Sequence, residues 1–390
     1  WQMLPYAEQL KYKHKQVLDN LTRIGKVALP EMLPIVGANK TEYYRNKVEY
    51  TFATKKFVPS EEFKALKDAG LPIVTEGSFG GFHAKGMFDK VVEINKCHLQ
   101  AEPTNQIRNA IVQFCIENKY PFYDIKNHTG WLRNMMVRIA TTGEWMVNIM
   151  LGYENEKMRT HLLDFVLSKF PNITSLIYTI NTKLNDSIYD LEPIAYSGKG
   201  YIIEKLENYQ FIIGPKSFFQ TNTKQGEQLY NITKNFAELT GTQTVYDLYC
   251  GTGSIGIYVS SLAKKIIGVE AVPEAIEDAK KNAALNNITH ASFFAGDVID
   301  ICNDAFFAQH GFADVVITDP PRAGMHEKLV NKLLEIASPT IVYVSCNPAT
   351  QARDLALLDE KYVVTKIQPV DMFPHTHHIE NVVQLKLRTV

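Results

Sequence analysis

Residues 244–270 read TVYDLYCGTGSIGIYVSSLAKKIIGVE. TVYDLY has the apolar density of a buried strand, the glycines break it, IGIYVSSLA has helical length, and IIGVE opens a second strand. Strand, glycine turn, helix and strand form the unit from which a parallel sheet is wound. The rhythm continues outward. PEAIEDAKKNAALNN (273–287) is a helix with Pro273 at its favoured first turn. ASFFAGD, DVVITD and TIVYVS are further strands, and two late strands near 362–370 and 381–388 complete the set. From residue 213 onward the sequence predicts an α/β, doubly wound sheet.

Upstream the texture differs. Residues 5–24 place Leu10, Val17, Leu18 and Leu21 at helical spacing, with Lys11, Lys13 and Lys15 as a basic face and a stop at Gly25. Short alternating strands follow, among them YRNKVEYTFAT and GSFGGFHAKGMFDKVVEIN, where Gly80-Gly81 suggests a turn. Helices near 102–118 and 158–169 separate further strands. The expected domains are an N-terminal helix over 1–28, packed on the catalytic domain, a mixed α+β domain over 29–212, and the doubly wound domain over 213–390.

A chain of 390 residues exceeds one ordinary core. It has no apolar run of 18 residues, which argues against a membrane span. It opens on Trp1 with no leader pattern, and the native protein is expected to extend upstream. The five cysteines show no CxxC pair, as expected for a reducing cytoplasm. Net charge is −1, with a basic excess in the first half and an acidic excess in the second. That asymmetry permits a polyanion site on the first half and fits ordinary surface scatter equally well.

The chemistry gathers on one sheet edge. Gly251, Gly253 and Gly256 form G-x-G-x-x-G, with Ser254 inside it and Glu270 at the next strand tip to accept from ribose hydroxyls. Taken alone the loop fits a nicotinamide dinucleotide as well as S-adenosylmethionine. Asp247 suits a positively charged amino-acid group, and Asp297 can reach an adenine amine. Asp319-Pro320-Pro321-Arg322 resembles the Asp-Pro-Pro of amine methylases, but Arg322 stands where their aromatic platform would be. Cys346, in VSCNPAT, precedes a helix start that could stabilise a thiolate, and Cys250 is its competitor. His375, His377 and His378 invite a metal reading, though loop histidines seldom close a site unaided. Glu380 in the same loop suits a general base. Phe218 and Phe219, beside Gln220, could stack on an extruded base or simply pack between domains.

Together SFFQTN, DLYCGTGSIG, GVEAVPEAIEDAKKNA, DPPRAG, VSCNPAT and DMFPHTHHIE resemble the RNA uracil-5-methyltransferase family in order and spacing. YRNKVEYTF, GFHAKGMFDKVVEINKC and LNDSIYD look like its central RNA-binding domain. The resemblance implies a class I methyltransferase fold, S-adenosylmethionine as methyl donor, Cys346 as nucleophile on uracil C6 and Glu380 as C5 proton acceptor. It assigns Gln220, Tyr249, Glu270, Asp297 and Asp319 to donor or base. It further implies a monomer acting on RNA, 23S rRNA first and tRNA as the alternative. The rival class is an RNA-folding or RNA-binding protein whose methylation is incidental. Many members carry an N-terminal oligonucleotide-binding barrel, which is absent from this sequence. Some hold a [4Fe-4S] cluster on four cysteines, and Cys97 matches the fourth. A 5-methylcytosine enzyme would need a cysteine soon after Asp319-Pro320, and PRAGMHEK has none.

Overall fold

A computed structural model describes residues 1–388. The chain forms two compact units: Trp1–Thr41, Lys205–Ile212 and Ser217 onward in the first, Glu42–Glu204 and Ile213–Lys216 in the second.

The second unit is a seven-stranded sheet. Its strands are β1 (Lys47–Lys55), β2 (Glu76–Ala84), β3 (Met87–Glu93), β4 (Leu132–Ile139), β5 (Trp145–Leu151), β6 (Ser175–Ile180) and β7 (Ile194–Gly198). They lie in the order β3-β2-β1-β4-β5-β6-β7, antiparallel except at β5–β6, which the helix Glu156–Lys169 connects. That helix and Thr104–Glu117 supply Ile107, Ile111, Phe114, Leu162, Leu163 and Val166 to the core, around Trp131. Gly80 and Gly81 do not turn the chain, contrary to expectation. They sit inside β2, and the turn falls at Lys85-Gly86. A Cβ on Gly81 would collide with the Val92 carbonyl oxygen, and one on Gly80 would lie 2.8 Å from Val112. Close approach of backbone and neighbours, not reversal, requires glycine there.

A hairpin of β8 (Ile202–Leu206) and β9 (Tyr209–Ile213) carries the chain onward. The first unit then builds β10 (Thr244–Leu248), β11 (Lys265–Glu270), β12 (Ala291–Ala295), β13 (Val315–Thr318), β14 (Thr340–Ser345), β15 (Tyr362–Val370) and β16 (Glu380–Leu387). The order is β12-β11-β10-β13-β14-β16-β15, parallel through β14, with β16 inserted antiparallel between β14 and β15. This is the expected class I doubly wound sheet. Strand order reverses outward from β10, and ligands of such sheets bind at the carboxyl edge beside that reversal.

The first unit also takes in the chain's start. Helix α1 (Tyr6–Asn20) runs into a π turn, Leu21–Gly25. Val17 and Leu21 join the core with Ala352 and Leu355, and a Cβ on Gly25 would lie 3.3 Å from the Ala352 carbonyl oxygen. Beyond the turn the chain lies along β15, Leu33 N–H donating to Ile367 O at 3.0 Å and Val36 N–H to Pro369 O at 2.9 Å. The passage between units accordingly falls after Thr41, not after residue 28. Among the described residues, no helix is long and apolar enough to cross a membrane.

Candidate active site

The glycine loop is built to hold a carboxylate beneath it. Asp247, in β10 and fully buried, accepts from Gly256 N–H at 2.8 Å through Oδ2. A Cβ on Gly256 would sit 2.9 Å from that oxygen, so only glycine lets this bond form undisturbed. The other oxygen, Oδ1, is buried with no hydrogen-bond partner. Burial pushes the Asp247 carboxyl up to about 7, opposed by the Gly256 N–H and reinforced by Asp319 and Glu270. A lone buried carboxylate oxygen of this kind is complementary to a cation.

Above it, Gly251 and Gly253 take φ +52° and +76°, and space at Gly251 is open where a side chain would lie. Glu270 accepts from Gly251 N–H at 3.2 Å and Val272 N–H at 3.0 Å, leaving each oxygen further acceptor capacity. Ser254 bonds Tyr230 at 2.8 Å. Asp297 is exposed and caps the next turn through Ile299 N–H at 2.9 Å. Tyr249 lies half-buried at φ +61°. Cys250 is buried beneath the loop, its sulfur 3.0 Å from where a Cβ on Gly268 would be. Buried there, its thiol is pushed well up. Open backbone above a buried carboxylate with one unpartnered oxygen fits S-adenosylmethionine.

The second half of the site follows from register. β14 and β16 pair through Ser345↔Asn381, and β15 and β16 pair through Val370↔Glu380. Continuing this register one rung past the last β14 pair leads from Cys346 to Glu380, and the Glu380 charge acts on the Cys346 thiol. Gln351, from the helix Pro348–Leu358, locks this edge, its Oε1 accepting from Asn381 Nδ2 at 2.7 Å and its Nε2 donating to Tyr343 O at 3.0 Å. Asn347 caps that helix through Ala349 N–H and donates to Arg322 O at 3.0 Å, tying DPPR to the cysteine turn. Arg322 in turn meets His378 Nδ1 at 3.2 Å.

Electrostatics ties the same groups together. Burial raises Asp319 above the carboxylate range. It also raises Glu380 well above that range, with Asp319 adding to the shift and Arg322 opposing it. The Cys346 thiol is pushed up to about 11 by burial first, then by Glu380 and Asp319, with Arg322 again opposing. The helix start after Cys346 therefore does not lower its pKa as expected, because desolvation and two acids outweigh it. Cys346 is still the one cysteine of the five that is not buried.

The remaining expected residues are dispersed. Phe218 is 65% exposed and free to meet a base, while Phe219 is 3% exposed and packs on Phe211 at 5.6 Å, which removes it from stacking. Gln220 is buried between them and the next helix. The three histidines go to Gln9 (His375), to Arg322 (His378) and, for His377, to a tilted ring contact with His378, centroids 4.1 Å apart. Cys97 is buried in the second unit, its sulfur accepting from Leu99 N–H. Among the described residues no three His, Cys, Asp or Glu side chains converge as a metal set. Of the four cysteines that the resemblance implies for a cluster, Cys97 alone lies in this sequence. Lys13, expected on a basic face, is fully buried. Its i,i+4 spacing from Gln9 and Val17, the buried residues of α1, was the available signal.

The profile of the tRNA (Uracil-5-)-methyltransferase family matches residues 198–388. An uncharacterized RNA methyltransferase of Bacteroides thetaiotaomicron is 52% identical over 392 residues, covering 100% of this chain and 85% of that protein. One of Porphyromonas gingivalis is 51% identical, covering 100% and 84%. The crystal structure of Pyrococcus abyssi tRNA (uracil-54, C5)-methyltransferase with S-adenosyl-L-homocysteine is 30% identical with a TM-score of 0.76, covering 98% of this chain and 84% of that one.

Proposed function

Since the chain belongs to the tRNA (uracil-5-)-methyltransferase family, we propose that it methylates C5 of a uridine in RNA, with Cys346 as nucleophile and Glu380 as proton acceptor. The observation that supports this is the end of the β14–β16 register at Ser345↔Asn381, beside which the Cys346 thiol feels the charges of Glu380, Asp319 and Arg322.

Uracil C5 is a poor nucleophile unaided, so a covalent step is needed. Cys346 Sγ, as thiolate, bonds to C6, and the C5=C6 electrons move toward C5 and O4. S-adenosylmethionine supplies a methyl group on a sulfonium. C5 takes the methyl as the carbon–sulfur bond of the donor breaks. Glu380 removes the C5 proton, C5=C6 re-forms, and Cys346 leaves as thiolate. Asp247 would face the donor's ammonium, and Glu270 its ribose. Asp297 would reach the adenine, while Gly251, Gly253, Ser254, Gln220 and Tyr249 shape the cradle. Asp247 and Asp319, raised by burial, ionise most readily beside a cation. Arg322 and Phe218 face the flipped base, with Asp319 shared between base and donor. Residues 42–204 serve as the RNA-binding domain.

Gly256→Ala tests the cradle. Forcing a Cβ against Asp247 Oδ2 and Ile266 should raise the KM for the donor about tenfold and lower stability by about 1–3 kcal/mol, with the KM for RNA unchanged. Steady-state kinetics with each substrate varied, and thermal unfolding, check this.

For the RNA itself we take 23S rRNA, on the likeness of the Cys97 segment to cluster-bearing members. The Pyrococcus abyssi structure, an enzyme of tRNA, supports tRNA as the second reading. Mapping 5-methyluridine in both RNA pools of a deletion strain decides. Loss of one 23S position is expected, loss of a tRNA position transfers the assignment, and loss of neither overturns the activity.

A further inference from the structure

Lys13 and Asp371 form an ion pair, Nζ to Oδ1 at 2.6 Å, with neither side chain exposed at all. Such a pair brings little net stability, because desolvating both charges offsets their attraction. What it fixes in space is the better guide to its purpose. Asp371 Oδ1 also accepts from Phe373 N–H at 3.1 Å, and Oδ2 accepts from the Tyr6 hydroxyl at 2.8 Å. Lys13 donates again to the Phe373 carbonyl at 3.1 Å. Gln9, one turn earlier on α1, accepts from His375 N–H at 3.0 Å and meets His375 Nδ1 at 3.0 Å. Gln225 donates to the Asp371 carbonyl at 2.8 Å, and Asn222 to the Met372 carbonyl at 2.9 Å.

All these bonds converge on the first half of the loop 371–379, whose flanking residues Val370 and Glu380 pair with each other. The second half carries His378, which contacts Arg322, and leads directly into Glu380. The chain reverses at His375, with φ +66°, a conformation that surrounding contacts must hold. A helix some 360 residues away in sequence is thereby fastened to the segment that delivers the proton acceptor.

We infer that Lys13 and Asp371, with Gln9, are positioning residues that hold the 371–379 loop so that Glu380 meets the C5 proton, and so set the rate at which the covalent adduct resolves. This rests on the reading of Cys346 and Glu380 given above. A misplaced Glu380 leaves attack and methyl transfer intact and delays elimination, so methylated enzyme–RNA adduct accumulates.

The test uses Lys13→Met/Asp371→Asn, which removes both charges together, and separately Gln9→Leu. Circular dichroism and thermal unfolding establish folding. With unmodified RNA, the double variant should lose at least ~10-fold in kcat with the KM for donor within about twofold, while SDS-stable methylated adduct rises at least ~5-fold. Gln9→Leu should shift both in the same direction by less. Should the double variant not fold, Gln9→Leu gives the same reading, since it removes no charge. Folded variants with wild-type kcat overturn the inference, and so do variants that lose kcat without accumulating adduct. Wild-type protein on 5-fluorouridine RNA is the control. If it forms no adduct, the underlying reading falls and takes the inference with it. If it does, and the variants resolve natural adduct normally, only the inference falls.

Discussion

Cys346→Ala is expected to lower methyl transfer by at least ~10⁴-fold and to abolish covalent RNA adducts, with donor affinity preserved. The residue follows Ser345↔Asn381 on β14, whereas the cradle proposed for the donor is built on Asp247 and Gly256, so the variant should still bind S-adenosylmethionine. Cys250→Ala should leave adduct formation in place, since that thiol is buried beneath the glycine loop. A pH dependence follows. Only the thiolate attacks, and the Cys346 thiol is held up to about 11, so alkylation of Cys346 in the ligand-free protein should keep accelerating as pH rises toward that value. A plateau near pH 8 would show that burial and the two acids do not govern it. Kinetics of iodoacetamide labelling, read by peptide mass, measure this.

Glu380→Gln is expected to lower kcat by about 10²–10⁴-fold while leaving C6 attack and methyl transfer possible. The signature is accumulation: the variant should trap RNA on Cys346 with the methyl already transferred and the C5 proton retained. Glutamine keeps the size of the buried side chain and adds no charge, so folding should survive. If Glu380→Gln turns over normally, another group takes the proton. Asp319 would then be the first to examine, because it couples to both Glu380 and Cys346.

The parallel sheet was legible because its strands are short apolar runs punctuated by glycine and proline, and β10 to β14 need only local signals. Cys346 and Glu380 were legible as candidates from their residue types and places, and the motif resemblance supplied their paired roles; the pairing of strands around them was not readable. It depends on β16 entering antiparallel between β14 and β15, a long-range pairing without a local signature. Gly80-Gly81 misled because glycine serves close backbone approach as readily as reversal, and only the neighbouring Val92 carbonyl tells which. Lys13 misled for a related reason. A lysine among lysines looks solvated, and the carboxylate that draws it inward lies 358 residues later. Phe218 and Phe219 looked equivalent in sequence, yet one is exposed and the other enters the core against Phe211, a difference that packing decides. The depressed pKa expected for Cys346 came from its helix start alone. The opposing desolvation and acid neighbours belong to the assembled edge.

The central claim is that Cys346 carries the uracil during methyl transfer. RNA substituted with 5-fluorouridine tests it most directly, because fluorine at C5 cannot leave as a proton and Glu380 has nothing to remove. Protein incubated with this RNA and S-adenosylmethionine, then digested with protease and nuclease, should yield the peptide holding Cys346 joined to a nucleotide that bears both fluorine and the transferred methyl group. An adduct on Cys250, or no adduct while ordinary RNA is still methylated, would contradict the account.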